Sequence, residues 1–189
     1  ISLEQKLQQS ADAEMRLIVV DGVFSMEGDL ADLKGITQLA KQYNAVVMSD
    51  CAHAIGVIGE HGAGAASHFD VEKQVDLIGG TFSKSLASIG GFIASDSHTV
   101  EYIKHNSRSL VFSASPTPAA VAAALASLDI IESDDSLRLQ LLKNTEYAID
   151  AFNSLGFDTG KTKTPIIPLF IKDDKKTHLM AMLLLEKGI

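Results

Sequence analysis

Val75-Asp76-Leu77-Ile78-Gly79-Gly80-Thr81-Phe82-Ser83-Lys84-Ser85 is the stretch that decides the fold. A short apolar run passes through two glycines into hydroxyls and a lysine, which reads as a buried strand followed by a turn. Two upstream segments share the plan. Leu17 to Val20 runs into Asp21-Gly22-Val23-Phe24-Ser25-Met26-Glu27-Gly28-Asp29, and Ala45 to Met48 runs into Ser49-Asp50-Cys51-Ala52-His53. In an open α/β sheet, ligands bind beyond the carboxyl ends of the strands. An amine, a carboxylate, an imidazole and hydroxyls are therefore expected at one sheet edge.

Working outward, Asp29 to Tyr43 has the periodicity of a helix, with Leu30, Leu33, Ile36, Leu39, Ala40 and Tyr43 on one face. Ala54 to Phe69 is glycine-rich and reads mostly as loop. Gly91 to Ser95 is a fourth strand beyond the lysine loop, Thr81 to Gly90. Ser97 is read as the cap of a helix ending near Ser107. Leu110 to Ser113 reads as extended. Pro116 and Pro118 open an alanine-rich helix to about Ile131. Asp135 to Leu155 is a long amphipathic helix ended by Gly156. Ile166 to Ile171 reads as a strand, and Lys175 to Lys187 as a final helix. Strand alternates with helix up to residue 107, which predicts a mainly parallel sheet covered on both faces. After Pro116 the pattern changes, and the helix from Asp135 is expected to lead into a smaller α+β unit.

The chain has 189 residues, is 46% hydrophobic and 21% charged, and carries a formal charge of -8. That composition is globular, and the negative charge disfavours a general nucleic-acid-binding role. The one cysteine, Cys51, excludes an intramolecular disulfide framework and a multi-cysteine metal site. No apolar run approaches the roughly 20 residues that span a bilayer. No signal peptide is visible, so a cytoplasmic location is expected. The first residue is Ile and the last helix-like run stops where a further strand is expected, so the chain reads as a piece of a longer protein.

The gathered groups suit a site for pyridoxal 5'-phosphate (PLP), in which a lysine holds the cofactor as a Schiff base. Lys84 is the candidate; a solvated surface lysine is the competing reading. Asp50 can pair with the protonated pyridine nitrogen, or act as a cap or structural ion-pair partner. His53 can bond the cofactor's phenolic oxygen or carry protons, or serve structure alone. Asp50 and His53 as a metal pair lack matching ligands. Thr81 and Ser83 offer hydroxyls to a phosphate, and so do Ser113 and Ser115, from a neighbouring subunit; turn hydrogen bonding is the alternative for all four. Ser25 belongs near the cofactor. His61, His68, His98, His105 and His178 have no partners in sequence. Cys51 reads as a small buried residue.

Taken together, DGVFSMEGD (21–29), LAKQYNAVVMSDCAHAIGVIGEHG (39–62), VDLIGGTFSKSLASIGGFIAS (75–95) and VFSASPTPA (111–119) resemble the α-oxoamine synthase family of PLP-dependent, fold type I acyltransferases. The likeness covers essentially the whole chain, in order. It implies an α/β fold: part of the large PLP-binding domain in residues 1–134, then a linking helix and the start of a small α+β domain in 135–189. It implies decarboxylative condensation of an amino acid with an acyl-CoA in a homodimer. Lys84 would hold the cofactor, Asp50 would face its ring nitrogen, and His53 and Ser25 its phenolic oxygen. Thr81, Ser83 and Ser113 would lie near the phosphate, Ser113 across the dimer interface. Serine before and after the lysine is most similar to the serine-using bacterial branch, and so is GEHGAGAASHF (59–69). Cys51 departs from the acidic residue usual in relatives. The family's glycine-rich phosphate loop and ring-stacking histidine are expected before Ile1, and its carboxylate-binding arginine after Ile189. The alternatives are an aminooxononanoate synthase or 2-amino-3-ketobutyrate CoA ligase activity within the same family, an aminotransferase or β-eliminating lyase of the same fold, a non-catalytic scaffold subunit and a metal-dependent hydrolase.

Overall fold

Each apolar run that ends in reactive residues forms a strand, and the strands lie side by side. β1 (Leu17–Asp21), β2 (Val46–Asp50) and β3 (Leu77–Thr81) are parallel neighbours, and β4 (Gly91–Ala94) returns antiparallel beside β3. The structure, a computed structural model, describes residues 2–189. Asp21 pairs in register with Asp50, and Asp50 with Gly79, so these three residues lie on one line across the sheet and β3 runs two residues further. Asp76 extends the ladder before β3: its N–H donates to the Val47 carbonyl at 3.0 Å, and its carboxylate accepts from the Val47 N–H at 2.7 Å.

α1 (Leu3–Gln9) is started by a capping box between Ser2 and Gln5. α2 (Leu33–Gln42) buries Leu33, Thr37 and Ala40, at steps of three and four, against the sheet core of Ile18, Val23 and Val47. α3 (Ala65–His68) buries Ala65 and Ala66 against the same core. Gly22 is needed there, because a Cβ on it would lie 2.6 Å from the Ala65 Cβ. α4 (Ser97–Asn106), α5 (Arg108–Val111), α6 (Pro118–Ser133), α7 (Ser136–Ser154) and α8 (Asp174–Glu186) complete the described chain. α6 opens with Thr117 as cap and Pro118 in the first turn, and α7 is followed by Gly156 in the left-handed region. No described helix is long and apolar enough to cross a membrane.

Several expectations are corrected. α2 starts at Leu33, not near Asp29, because Leu30 forms a β-bridge with Val23 and Asp32 caps the helix through the Gly35 N–H. Asp96, not Ser97, caps α4; its carboxylate accepts from the His98 and Thr99 N–H groups. Leu110 to Ser113 is not extended: Ser107 accepts from the Leu110 N–H and starts the helical turn α5. The Ala54–Phe69 loop contains a 3₁₀ turn at Glu60–Gly62 as well as α3. Ile166 to Ile171 joins no sheet. Pro165 and Pro168 carry no N–H to donate to a ladder, and the Phe170 N–H donates to Asp158 in an adjoining loop instead. The sheet is packed on one face; on the other, Leu17 and Val19 of β1 are 54% and 60% exposed.

Candidate active site

The lysine loop is built by its ends. Phe82 N–H donates to the Gly90 carbonyl and Ser88 N–H to the Phe82 carbonyl, closing the loop between β3 and β4. The Phe82 and Phe92 rings stack at 5.8 Å, and Leu86 is buried beneath the loop. Ser88 Oγ donates to the Ala120 carbonyl at 2.6 Å, tying the loop to α6. Gly90, at φ +122, takes a backbone conformation L side chains rarely adopt. These contacts hold Lys84 three residues beyond the end of β3, with its side chain exposed.

His53 stands three residues beyond the end of β2. It and Lys84 line one cavity of about 180 Å³, with Val23 and the segment Thr164–Ile166 among its walls. The His53 and Lys84 loops come together because the chain at Gly56 has no side chain. A Cβ there would lie 2.7 Å from the Ser85 Cβ.

Asp50 is the last residue of β2. Its Oδ1 accepts the Ala52 N–H at 2.8 Å, which orients the carboxylate at the strand end. The Gly22 N–H donates to the Asp50 carbonyl, and the Cys51 N–H to the Gly79 carbonyl, both at 2.7 Å. Asp50 thus sits between the loops that follow β1 and β3. Thr81 closes β3 and hydrogen-bonds Ser83 Oγ at 2.8 Å and the Gly90 carbonyl at 3.1 Å. Ser25 is exposed in the turn after β1. Asp50 and Thr81 end β2 and β3, and Ser25, His53, Ser83 and Lys84 follow the carboxyl ends of the three parallel strands. Ser113 is not brought to this edge. It follows α5 in exposed chain, and its hydroxyl donates back to the Ser109 carbonyl. Ser115 is exposed in the same segment. Cys51 is buried, with Sγ 3.6 Å from Ser49 Oγ. Among the described residues no group of three or more His, Cys, Asp or Glu gathers where Asp50 and His53 could share a metal.

Two features escape a local reading. Thr162 and Thr164 are buried, and both hydroxyls reach the Gly28 carbonyl, 134 and 136 residues away. The one signal was their spacing of two, which puts both hydroxyls on one side of an extended segment. The second is His61, whose Nδ1 lies 3.1 Å from Asp135 Oδ2, while Arg138 Nε donates to Asp135 Oδ1 at 2.7 Å. The Arg138 hydrogen bond, then the charges of Arg138 and His61, hold the Asp135 carboxyl below the usual carboxylate range.

The comparisons with known proteins point to one family. Serine palmitoyltransferase of Sphingobacterium spiritivorum is 49% identical over 187 residues, covering 99% of this chain and 47% of that protein. The 8-amino-7-oxononanoate synthase of Petrotoga mobilis is 44% identical over 190 residues, covering 100% of this chain and 48% of that protein. The solved structure of serine palmitoyltransferase from S. paucimobilis, with a bound PLP–myriocin aldimine, superposes with a TM-score of 0.93. It is 30% identical and is covered for 49% of its length by 98% of this chain. The chain spans about half the length of the curated relatives it matches. These likenesses agree with the α-oxoamine synthase resemblance read from the sequence. The family model described as aminotransferase class I and II matches residues 2–189, so this α/β chain belongs to that family.

Proposed function

We propose that the protein carrying this chain is a PLP-dependent acyltransferase that condenses an amino acid, serine, with an acyl-CoA as carbon dioxide leaves. The product is a long-chain α-oxoamine of the kind used to make sphingolipids. The observation that carries the reading is the shared cavity of Lys84 and His53 at the carboxyl edge of the sheet, beside the oriented carboxylate of Asp50. The donor set fits PLP. Among the described residues, Lys84 supplies the one amine that lines the cavity, Asp50 an anion for a protonated ring nitrogen, and His53 a ring nitrogen for an oxygen. Thr81, Ser83 and Ser25 supply hydroxyls at the same edge, and Ser113 is assigned to the phosphate of a second subunit in a homodimer.

PLP, when bound, supplies an electron sink for the charge that develops at the amino-acid α-carbon. The chain's residues do the rest. Lys84 would hold the group through its amine, and that amine would carry a proton at the reacting carbon. Asp50 keeps a positive charge where it faces it, a stabilisation that grows with the developing charge. His53 fixes orientation through a hydrogen bond. Val23, Val57 and Ile166 give the cavity an apolar wall beside the lysine. We assign residues 1–134 to the cofactor-binding unit and 135–189 to a linking helix and part of a smaller unit. We place the enzyme in the cytoplasm.

The test is an absorbance spectrum of the full-length protein with PLP, before and after serine. A visible band that shifts with serine, and borohydride labelling of Lys84 by peptide mapping, are expected. No band, or label on another lysine, overturns the assignment. The likeness to 8-amino-7-oxononanoate synthase makes a second substrate pair the specific competitor. Faster turnover with alanine and a dicarboxylic acyl-CoA would select it.

A further inference from the structure

We infer that Thr162 and Thr164 are positioning residues: their hydroxyls lock the 21–29 loop to the segment that walls the Lys84 cavity, and so set how that cavity grips the amino acid. The inference rests on the function proposed above.

Burying a hydroxyl is costly unless it is paired. Thr164 is 1% exposed and Thr162 is 7% exposed. Each hydroxyl has one proton to give and lone pairs to receive with. Thr164 donates to the Gly28 carbonyl at 2.8 Å and accepts the Ile166 N–H at 3.3 Å. Thr162 donates to the Ile166 carbonyl at 2.8 Å and accepts the Thr164 N–H at 3.2 Å, with the Gly28 carbonyl also within reach at 3.1 Å. The two side chains thus satisfy each other's segment and the loop across from it.

The contact is close enough to demand glycine. Gly28 has φ +70, and a Cβ on it would lie 2.1 Å from the Ile166 carbonyl oxygen and 2.5 Å from Thr162 Oγ1. The Gly28 N–H donates to Phe24 and the Phe24 N–H to Asp29, both at 2.9 Å, so the loop around Ser25 is closed on the locked residue. The same two segments then face the chemistry. Val23 from the loop, and Thr164, Pro165 and Ile166 from the far segment, line the cavity that holds Lys84 and His53. A slip of the 162–166 segment moves one cavity wall directly and Val23 through Gly28.

The experiment uses the full-length protein with Thr164→Val, Thr162→Val, the double variant and Thr164→Ser. Valine keeps the shape and removes only the hydrogen bonds. Two readouts are needed. In cofactor-free protein, amide hydrogen exchange at Phe24 and Gly28 should quicken about ten-fold in Thr164→Val and in the double variant. In cofactor-loaded protein, KM for serine should rise by a similar factor while kcat stays within about two-fold and the PLP absorbance band is unchanged. Thr164→Ser should restore both. Unchanged exchange in the double variant shows there is no lock. Quickened exchange with unchanged KM shows a structural weld and refutes the positioning role. If the double variant fails to fold by circular dichroism, the single variants decide in the same way. A wild-type protein with no PLP band refutes the proposed function and this role with it, a failure distinct from that of the exchange measurement.

Discussion

Asp50 illustrates how one residue's neighbours define its task. Its Oδ1 is occupied by the Ala52 N–H, and the strand register places it between the loops that carry Ser25 and Lys84. Asp50→Asn keeps the shape and removes the charge. Turnover of the full-length protein should fall on the order of a thousand-fold, with the fold unchanged by circular dichroism. Near-normal turnover would remove Asp50 from the chemistry. Lys84→Ala should abolish the borohydride-trapped label altogether, while Lys73→Ala, distant in sequence from the loop, should leave it. At this scale the placement of these residues was legible, though not their roles. Asp50, His53, Thr81 and Lys84 announce themselves because each follows an apolar run within a few residues. Thr162 and Thr164 do not, since their partner lies more than 130 residues away and no local pattern encodes it.

At the scale of elements, the turn between β3 and β4 depends on what Gly80 lacks. A Cβ on Gly80 would lie 2.5 Å from the Phe92 ring, which is stacked on Phe82 and cannot swing away freely. Gly80→Ala should destabilise the hairpin by about 1–3 kcal/mol. A melting curve unchanged from wild type would show that the ring yields. The junction of α6 and α7 is expected to respond to pH. The Asp135 carboxyl is depressed below its usual 3.8 by Arg138 first and His61 after it. A depressed carboxyl adds stability above its unfolded value, which is lost as pH falls through the lowered folded value. Amide exchange in the first turn of α7 should therefore quicken only below the ordinary carboxylate range. Asp135→Asn should lessen that acid dependence, leaving the part that Asp134 carries through the Ser136 N–H, and an unaltered pH profile in the variant would show that the pair does not hold α7. Strands and helices were readable from period and composition, but ends were not. Leu110 to Ser113 looks extended by composition, yet Ser107 caps it into a helical turn. Ile166 to Ile171 looks like a strand by composition, yet its prolines and the Asp158 contact leave it without a ladder.

For the whole molecule, one sheet face is packed and the other carries apolar side chains into solvent. Leu17 and Val19 lie on that face, while Ile18 and Val47 are buried on the other. The isolated chain should bind a hydrophobic dye and associate as its concentration rises. Leu17→Lys with Val19→Lys should lower both dye emission and sedimentation-detected association without lowering the melting temperature; unchanged emission would locate the sticky surface elsewhere. The lock between Gly28 and Thr164 has a consequence in time. β1, β2 and β3 pair between neighbours in the chain, whereas Thr164 must find a residue 136 positions earlier. Closing so long a loop costs entropy that only a preformed partner repays, so this contact forms late. During synthesis, residues 162–166 also leave the ribosome after the four described strands. The nascent cavity at Lys84 therefore passes through a stage with one wall missing, open on the side that residues 164–166 later close.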